Sequence, residues 1–474
     1  MDLNSSLQAL LGEKGWLNPP ETNPWERDWL NRYGEKPLGV ARPKTSEEVS
    51  QVLKLCRSAN VPVVPQGGNT GLVGGSVLGE AGGVILSLSR MDAISAPDIA
   101  SGAIEVQAGV ILTQLHQCLQ GTGFMFPMHL GAEGSAQIGG LIATNAGGSH
   151  AFRYGLMQDL VLGLEVVLSD GTIWNGMRRV QKDNSGYQLR KLFCGAEGTL
   201  GVVTRAVLKL VPEPTQEVTA LLAVRDIDAA CQLATICRRQ SGEFLSAMEF
   251  FSDFGLEMAL EKIPSLHFPL GSRSPFYLLL EAGAGSPLVP VKEIVSSIIE
   301  QALSEGLICD GVLAASEAQR RAIWRLREEQ PEGQRLSGPQ LKHDISVPPG
   351  LMAEFLGRAD AECQEILSGV RVNAFGHLGD GNVHYNLSPP LGHDGFSGLD
   401  GVFALRLGRL VGEMSGSFAA EHGLGRAKVA LASQLRDPLE RQLMAQVKLG
   451  FDATGTLNPG IIVASRNLYL KSKY

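Results

Sequence analysis

The chain has 474 residues, of which 44% are hydrophobic and 19% charged, and its formal net charge is −8. A chain of this length is expected to form two or three domains, each with its own core. No stretch approaches the roughly 18 apolar residues of a membrane span. The Lys and Arg residues are dispersed, which argues against a nucleic-acid-binding face.

The N-terminal segment "MDLNSSLQALLGEKGW" lacks the basic-then-apolar order of a secretory signal. Its acidic residues and its lack of Arg argue against a transit peptide, so we expect a cytoplasmic protein. The seven cysteines are scattered and contain no CxxC pair. They are therefore predicted to be reduced, and they form neither a disulfide framework nor a thiolate zinc site.

A helix followed by a glycine-rich loop opens the first predicted domain. Thr45 and Glu48 have the spacing of a helix capping box, and the apolar residues after them fall on one helical face. The next segment, "VPVVPQGGNTGLVGGSV", is a short β-branched strand that runs into glycines. Successive amides in such a loop can point at one anion, which predicts a phosphate cradle. A glycine-rich surface hairpin is the alternative.

Two further segments are rich in small residues. Residues 129–155, "HLGAEGSAQIGGLIATNAGGSHAFRYG", alternate glycines with small side chains, and residues 195–204 read "GAEGTLGVVT". Small residues allow backbone to lie close against a large planar ligand. Three such surfaces predict a cofactor longer than a mononucleotide.

Three of the nine histidines fall in the motifs "GHLGDGNVHYN" (376–386) and "EHGLGRAK" (421–428). His377 and His384 flank a glycine turn, so the chain can double back and aim both imidazoles at one point. Glu421 could complete a site for a borderline-hard divalent ion. The alternative is that each histidine only satisfies local backbone groups.

The motifs "PQGGNTGLVGGS", "IGGLIATNAGG", "RYG" and "GAEGTLG" resemble the flavin-binding domain of the p-cresol methylhydroxylase/vanillyl-alcohol oxidase superfamily. With the late histidine motifs, residues 37 to 465 resemble its FAD-linked D-2-hydroxyacid dehydrogenase branch, which includes D-2-hydroxyglutarate and D-lactate dehydrogenases. The resemblance implies FAD, and a loop without histidine implies that the FAD is non-covalent. The residues expected to bind it are Gly67, Gly68, Asn69, Thr70, Gly71, Gly74, Gly75, Ser76, Gly131, Ala132, Ser135, Gly139, Asn145, Gly147, Gly148, Gly201 and Asn458.

The resemblance also assigns roles to the late motifs. It implies a divalent metal, commonly Zn²⁺, held by His377, His384 and Glu421, with His422 as general base. Arg327, Lys342 and Asn386 match positions that bind substrate. Some D-2-hydroxyglutarate dehydrogenases have a hydroxyl residue four positions after the arginine, where this chain has Pro331. Because proline donates no hydrogen bond, D-lactate or a broader range of D-2-hydroxyacids stays open beside D-2-hydroxyglutarate.

The implied fold is α+β, with a two-lobed FAD-binding domain of p-cresol methylhydroxylase type, an α+β substrate domain and a C-terminal helical segment. The predicted boundaries are an appendage over 1–36, the FAD domain over 37–216, the substrate domain over 217–414 and a completing segment over 415–474. An active site between the domains is expected.

Three functions of different classes follow. The first is an FAD- and metal-dependent D-2-hydroxyacid dehydrogenase that passes electrons to an external acceptor, an electron-transferring flavoprotein or a quinone. The second is a flavin oxidase that uses oxygen. The third is a non-catalytic flavin- or metal-binding subunit, against which the combination of Glu421, His422, Arg327 and Lys342 argues. No nucleic-acid partner is expected, and a homodimer is left open.

Overall fold

The structure is a computed structural model that describes residues 2–464. Its internal contacts divide the chain into two compact units. The first unit contains the described parts of 1–148, 155–212 and 421–474. The second contains 149–154 and 213–420, so a short segment of the small-residue region belongs to it.

The strands are numbered in chain order. They are β1 (Trp16–Leu17), β2 (Gly39–Ala41), β3 (Val63–Gln66), β4 (Val84–Ser87), β5 (Ala103–Gln107), β6 (Phe124–Met125), β7 (Val161–Val167), β8 (Ile173–Gly176), β9 (Val202–Lys209), β10 (Val211–Pro212), β11 (Gln216–Val224), β12 (Leu245–Ser252), β13 (Phe276–Ala284), β14 (Ile308–Leu313), β15 (Leu341–Ser346), β16 (Arg371–His377) and β17 (Asn382–Ser388).

The α-helices are numbered in the same way, and two 3₁₀ turns cover Gly242–Phe244 and Pro349–Leu351. The helices are α1 (Leu3–Leu11), α2 (Asn23–Glu26), α3 (Ser46–Ser58), α4 (Leu112–Leu119), α5 (Ile138–Thr144), α6 (Ala151–Tyr154), α7 (Met157–Leu160), α8 (Leu189–Phe193), α9 (Ile227–Ser241), α10 (Asp253–Lys262), α11 (Val291–Ser304), α12 (Glu317–Glu328), α13 (Gln330–Leu336), α14 (Met352–Ile366), α15 (Asp400–Glu413), α16 (Val429–Leu435) and α17 (Pro438–Phe451).

The first unit contains two four-stranded sheets. One has the order β1-β2-β4-β3, in which β4 runs parallel to both β2 and β3. The other is antiparallel, with the order β5-β9-β7-β8. A short β10-β6 pair completes the unit's strands.

Helix α3 forms where the capping pattern predicts it. The Thr45 side chain accepts a hydrogen bond from the Glu48 amide at 3.2 Å, which satisfies one of the unpaired donors at the helix start. Val49, Val52, Leu53 and Cys56 are buried and belong to one hydrophobic core. The predicted helix and its apolar face are confirmed.

The second unit is built on a seven-stranded antiparallel sheet with the order β14-β11-β13-β12-β16-β17-β15. On β17 the polar residues Asn382, His384 and Asn386 alternate with Val383 and Tyr385. Because side chains on a strand point to opposite faces in turn, one face of this part of the sheet is polar. The other face supplies Val383 and Tyr385 to the main core of the unit.

All seven cysteines are free thiols, as predicted. Within residues 2–464, no helix combines the length and the apolar character that crossing a bilayer requires.

Candidate functional site

The glycine-rich loop after β3 borders a cavity of about 1040 Å³ in the first unit, including its mouth. The predicted FAD-binding residues that line it are Gly67, Gly68, Asn69, Thr70, Gly71, Gly75, Ser76, Gly139 and Gly201. The others, which are not part of the lining described for this cavity, are Gly74, Gly131, Ala132, Ser135, Asn145, Gly147, Gly148 and Asn458.

Two of the small-residue segments pack backbone against backbone. A Cβ added to Gly68 would lie 2.0 Å from the carbonyl oxygen of Ser135, and one added to Gly139 would lie 2.7 Å from the Cβ of Ala108. These positions therefore require glycine because no room exists for a side chain. The glycine loop and the segment before α5 form one continuous wall, which we name the flavin cradle.

The flavin cradle has the donors that an anion needs. The amides of residues 67 to 71 donate to no oxygen among the described residues. Asn69 has a left-handed backbone, with φ of 54°. Its side-chain amide donates to the Arg27 carbonyl at 2.7 Å, and its side-chain oxygen accepts from the Ser76 hydroxyl at 2.7 Å. The Asn69 side chain thus closes the loop, and backbone N–H groups are left to meet a phosphate.

Glu197 was not predicted as a site residue, although it lies inside the motif "GAEGTLG" and lines the cavity. Its carboxylate accepts from the amides of Leu424 and Gly425, each at 2.8 Å. Burial raises the pKa of Glu197, and those two amides oppose the rise. An acid in an otherwise apolar glycine motif was the signal available in the sequence.

The hydrogen bonds of Glu197 hold the turn that follows His422, and His422 lines the same cavity. Asn458 strengthens this arrangement. Its side-chain amide donates to the carbonyl oxygens of Gly75 at 2.8 Å and Glu197 at 2.7 Å. The first unit therefore brings the "EHGLG" segment to the flavin cradle.

In the second unit, the β16–β17 hairpin places both predicted histidine ligands on the polar face. The register pairs Phe375 with His384 and His377 with Asn382, so His377 and His384 share one face. Their ring centroids are 5.7 Å apart. Residues 378–381 form the tight, glycine-containing turn that connects β16 to β17.

Glu249 on β12 was likewise not predicted as a site residue, although it contacts two residues that were. It is 1% exposed, and its Oε1 lies 2.6 Å from Nδ1 of His377. Its Oε2 lies 3.0 Å from Nε of Arg327, although that contact lacks the direction of a hydrogen bond. The Arg327 guanidinium also lies over the Phe375 ring, at 4.8 Å from its centroid. One buried carboxylate thus contacts both a predicted metal ligand and a predicted substrate cation.

The remaining predicted residues of the polar face lie on adjacent strands. Lys342 on β15 pairs with Asn386 on β17, and Asp344 pairs with His384. Asp344 is buried, and its Oδ1 is 3.8 Å from Nδ1 of His384. The Asn386 side-chain amide donates to Oε1 of Gln334 at 3.1 Å, which fixes its orientation.

Pro331 lies in the first turn of α13. Proline suits that position because the first helical N–H groups have no partner within the helix. The helix start explains why proline is accepted there, and no side-chain donor is present at this position.

The structure therefore assembles two groups, one in each unit. His377, His384, Arg327, Lys342 and Asn386 share a region of the second unit, while Glu421 and His422 belong to the first. The joint action of these two groups stays a prediction from the motifs. The same holds for the predicted domain boundaries.

Comparison with known proteins identifies two matching families and several relatives. The family described as the FAD binding domain matches residues 37–176, and the family described as the C-terminal domain of FAD-linked oxidases matches residues 213–462. The chain is 38% identical to a mitochondrial D-2-hydroxyglutarate dehydrogenase of Bos taurus over 96% of this chain and 82% of that protein. It is 34% identical to a putative mitochondrial D-lactate dehydrogenase of Schizosaccharomyces pombe over 95% of this chain and 88% of that protein.

The cytoplasmic prediction is wrong, because these relatives are named as mitochondrial enzymes. The prediction rested on the N-terminal segment, whose composition and charge do not distinguish one aqueous compartment from another.

A solved structure of p-cresol methylhydroxylase with bound substrate has the same fold, with a TM-score of 0.75 at 17% identity. The alignment covers 98% of this chain and 97% of that one, which confirms the predicted fold class. The chain belongs to the FAD-linked oxidases and is an FAD-dependent oxidoreductase.

Proposed function

We propose that this protein oxidises a D-2-hydroxyacid to the 2-oxoacid by hydride transfer to FAD, with D-2-hydroxyglutarate as the best candidate. The observation that supports this most is the polar face of the second unit. It holds two imidazoles, a buried guanidinium and an amine on neighbouring elements. The names of the relatives support the same substrate class.

The cations of the polar face suit a substrate with negative charge. Arg327 is 8% exposed and is held between Glu249 and the Phe375 ring. Such a guanidinium is fixed in orientation and can bind a carboxylate through two N–H groups. Lys342 is half-buried on the neighbouring strand of the same face and adds a second positive charge. We assign both to substrate carboxylate, with Asn386 as a further contact.

The donor set on this face fits a divalent metal, for which Zn²⁺ is the first candidate. Oε1 of Glu249 lies 2.6 Å from Nδ1 of His377, and we assign the other ring nitrogen, Nε2, to the ion. A carboxylate that orients a histidine in this way is common behind metal ligands, where it fixes the tautomer and raises the basicity of the ring. We propose that His377 and His384 hold the metal and that Glu421 is the third ligand suggested by its motif.

The proposed reaction needs two bound groups, FAD and a divalent ion, and protein side chains that act on the substrate. Bound FAD supplies a two-electron acceptor, and a bound divalent ion supplies charge that lowers the pKa of a hydroxyl by several units. We propose His422 as the base that accepts the hydroxyl proton. Its place at the wall of the flavin cradle supports this role, and Glu197 maintains the turn beside it.

Two related functions are alternatives: oxidation of a different D-2-hydroxyacid and an oxidase reaction with oxygen. Pro331 removes a hydroxyl from the start of α13, which favours a substrate with a shorter or neutral side chain, such as D-lactate. An oxidase that returns electrons to oxygen has the same fold requirements. We propose an external acceptor, an electron-transferring flavoprotein or a quinone.

Anaerobic mixing of the FAD-loaded protein with D-2-hydroxyglutarate, D-lactate and their L-enantiomers tests the proposal, with flavin absorbance as the readout. Bleaching by a D-acid alone is expected, and a chelator should abolish it. Failure of every acid to bleach bound FAD would contradict the substrate class. Peroxide formed in stoichiometric amounts under air would instead identify an oxidase.

The metal assignment has its own test. The His384→Ala variant should lose bound metal while its FAD content stays at one per chain. His393→Ala is the control, because His393 is exposed and lies outside the polar face. Unchanged metal content in His384→Ala would show that the ligand set is wrong.

A further inference from the structure

A second group of metal-ligating side chains lies in the first unit, away from the residues discussed above. It consists of His116, in the last turn of α4, and of His129 and Glu133 in the loop before α5. Nδ1 of His129 is 3.3 Å and Nδ1 of His116 is 3.8 Å from the same carboxylate oxygen, Oε2 of Glu133. The two imidazole centroids are 4.8 Å apart. We call these three residues the loop cluster.

Backbone hydrogen bonds fix the loop cluster independently of its side chains. The amide and hydroxyl of Thr113 both donate to the Glu133 carbonyl oxygen, at 3.2 Å and 2.9 Å. The Leu112 amide donates to the Ala136 carbonyl oxygen at 3.0 Å. The loop is thereby attached to the start of α4, and the three side chains converge without any contribution from a ligand.

The distances suit a metal ion. Ligand bonds of about 2.0 to 2.2 Å in tetrahedral geometry place neighbouring ligand atoms about 3.4 Å apart. The two N···O separations in the loop cluster are 3.3 Å and 3.8 Å. A small side-chain rotation would bring both to the value expected around a metal ion.

We propose that His116, His129 and Glu133 form a binding site for a divalent cation of borderline softness, with Zn²⁺ as the first candidate. Three protein ligands leave a position for water. An ordinary His–Glu ion pair would need only one imidazole, whereas here two imidazoles face one carboxylate oxygen. The site is separate in sequence and in its ligands from the metal proposed for the polar face.

The loop cluster connects directly to the flavin cradle. Ala136 and Gln137, which end the loop, line the cavity together with Gly139 of α5. An ion that joins the loop to α4 would stabilise this wall, increasingly so as the free ion concentration exceeds its Kd. Bound Zn²⁺ should therefore slow the loss of FAD from the protein.

The test measures Zn²⁺ binding in the FAD-loaded His384→Ala variant after chelator treatment, so that the polar face contributes no site. About one equivalent of Zn²⁺ should bind with micromolar or tighter affinity. Adding His116→Ala should remove that equivalent, and adding Glu133→Gln should weaken it at least tenfold. Adding His393→Ala, an exposed histidine elsewhere, should leave it unchanged.

FAD content and thermal midpoint of each metal-free variant show whether it has folded, and Glu133→Gln keeps the shape of the side chain if His116→Ala does not fold. Stoichiometry that is the same with and without these substitutions would overturn the proposal. So would binding that His393→Ala weakens equally, which would identify an adventitious ion only. If the polar face retains metal in His384→Ala, the loop cluster variants still differ from it by one equivalent.

Discussion

The flavin cradle and the polar face build their sites in opposite ways. The cradle uses backbone: residues 67 to 71 present amides, and Gly68 and Gly139 are required because a Cβ has no room there. The polar face uses side chains at every second position of β15, β16 and β17, held by buried acids. Added atoms should therefore damage the cradle, while removed charges should damage the face.

The strongest test of this contrast is Gly68→Ala. The new Cβ would lie 2.0 Å from the Ser135 carbonyl oxygen, so the glycine loop and the segment before α5 must separate. We expect FAD affinity to fall by at least about 100-fold, equivalent to about 3 kcal/mol. FAD retained after gel filtration measures this loss.

Gly186→Ala is the matched control, since a Cβ at this exposed position meets no atom within 4 Å. Gly68→Ala protein that retains FAD as Gly186→Ala does would show that the cradle tolerates side chains.

The next effect concerns His422, which lines the cavity beside the flavin cradle and to which we assign chemistry. His422→Ala should lower turnover by about two to four orders of magnitude, the scale of general-base loss. FAD content should stay at one per chain, because the backbone of the cradle is unchanged. Stopped-flow flavin reduction measures the step directly. Turnover within a few-fold of the parent protein would remove His422 from the mechanism.

The polar face is tested by Glu249→Gln. The amide keeps the shape of the side chain but removes the charge that orients His377 and contacts Arg327. Loss of such a supporting carboxylate typically weakens metal binding by about 10- to 100-fold. Metal titration into chelator-treated protein measures the change.

Glu257→Gln, an exposed acid on α10, is the control for Glu249→Gln. Equal metal affinity in the two variants would mean that Glu249 serves only the stability of the fold.

Local features of the site could be predicted from the sequence because they depend on neighbours along the chain. Helix α3 follows from its capping residues. The close approach of the small-residue segments follows from the size of their side chains. The placement of His377 and His384 on one face follows from the two-residue period of a strand. Asn69 was predicted as an FAD-binding residue, but the sequence did not show that its side chain closes the loop by hydrogen bonds with Arg27 and Ser76.

The buried acids could not be predicted in the same way. Glu249 contacts His377 across 128 positions of sequence because β12 pairs with β16. Glu197 contacts Leu424 across 227 positions. Pairings over such separations depend on strand order, which no local pattern specifies. Each acid looks like an ordinary charged residue until the sheet or the turn beside it has formed.

Glu281, a second buried acid on the seven-stranded sheet, can distinguish effects on metal binding from effects on fold stability. Glu281 is fully buried and accepts from Trp324 at 2.7 Å and Thr219 at 2.8 Å, while His150 lies 3.0 Å away. Burial favours the protonated form of Glu281, but the contacts with His150, Trp324 and Arg320 outweigh it and lower the pKa to about 2.

A carboxyl whose pKa is lower in the folded state stabilises that state above its unfolded pKa, here 4.5, and loses this contribution as the pH falls towards 2. Glu281→Gln should therefore lower the thermal midpoint at pH 7 by several degrees, with less difference from the parent protein near pH 2.5. Metal affinity should stay within about threefold of the parent value, unlike that of Glu249→Gln. A Glu281→Gln variant that loses metal as readily would mean that the sheet, rather than the carboxylate beside His377, sets the affinity of the polar face.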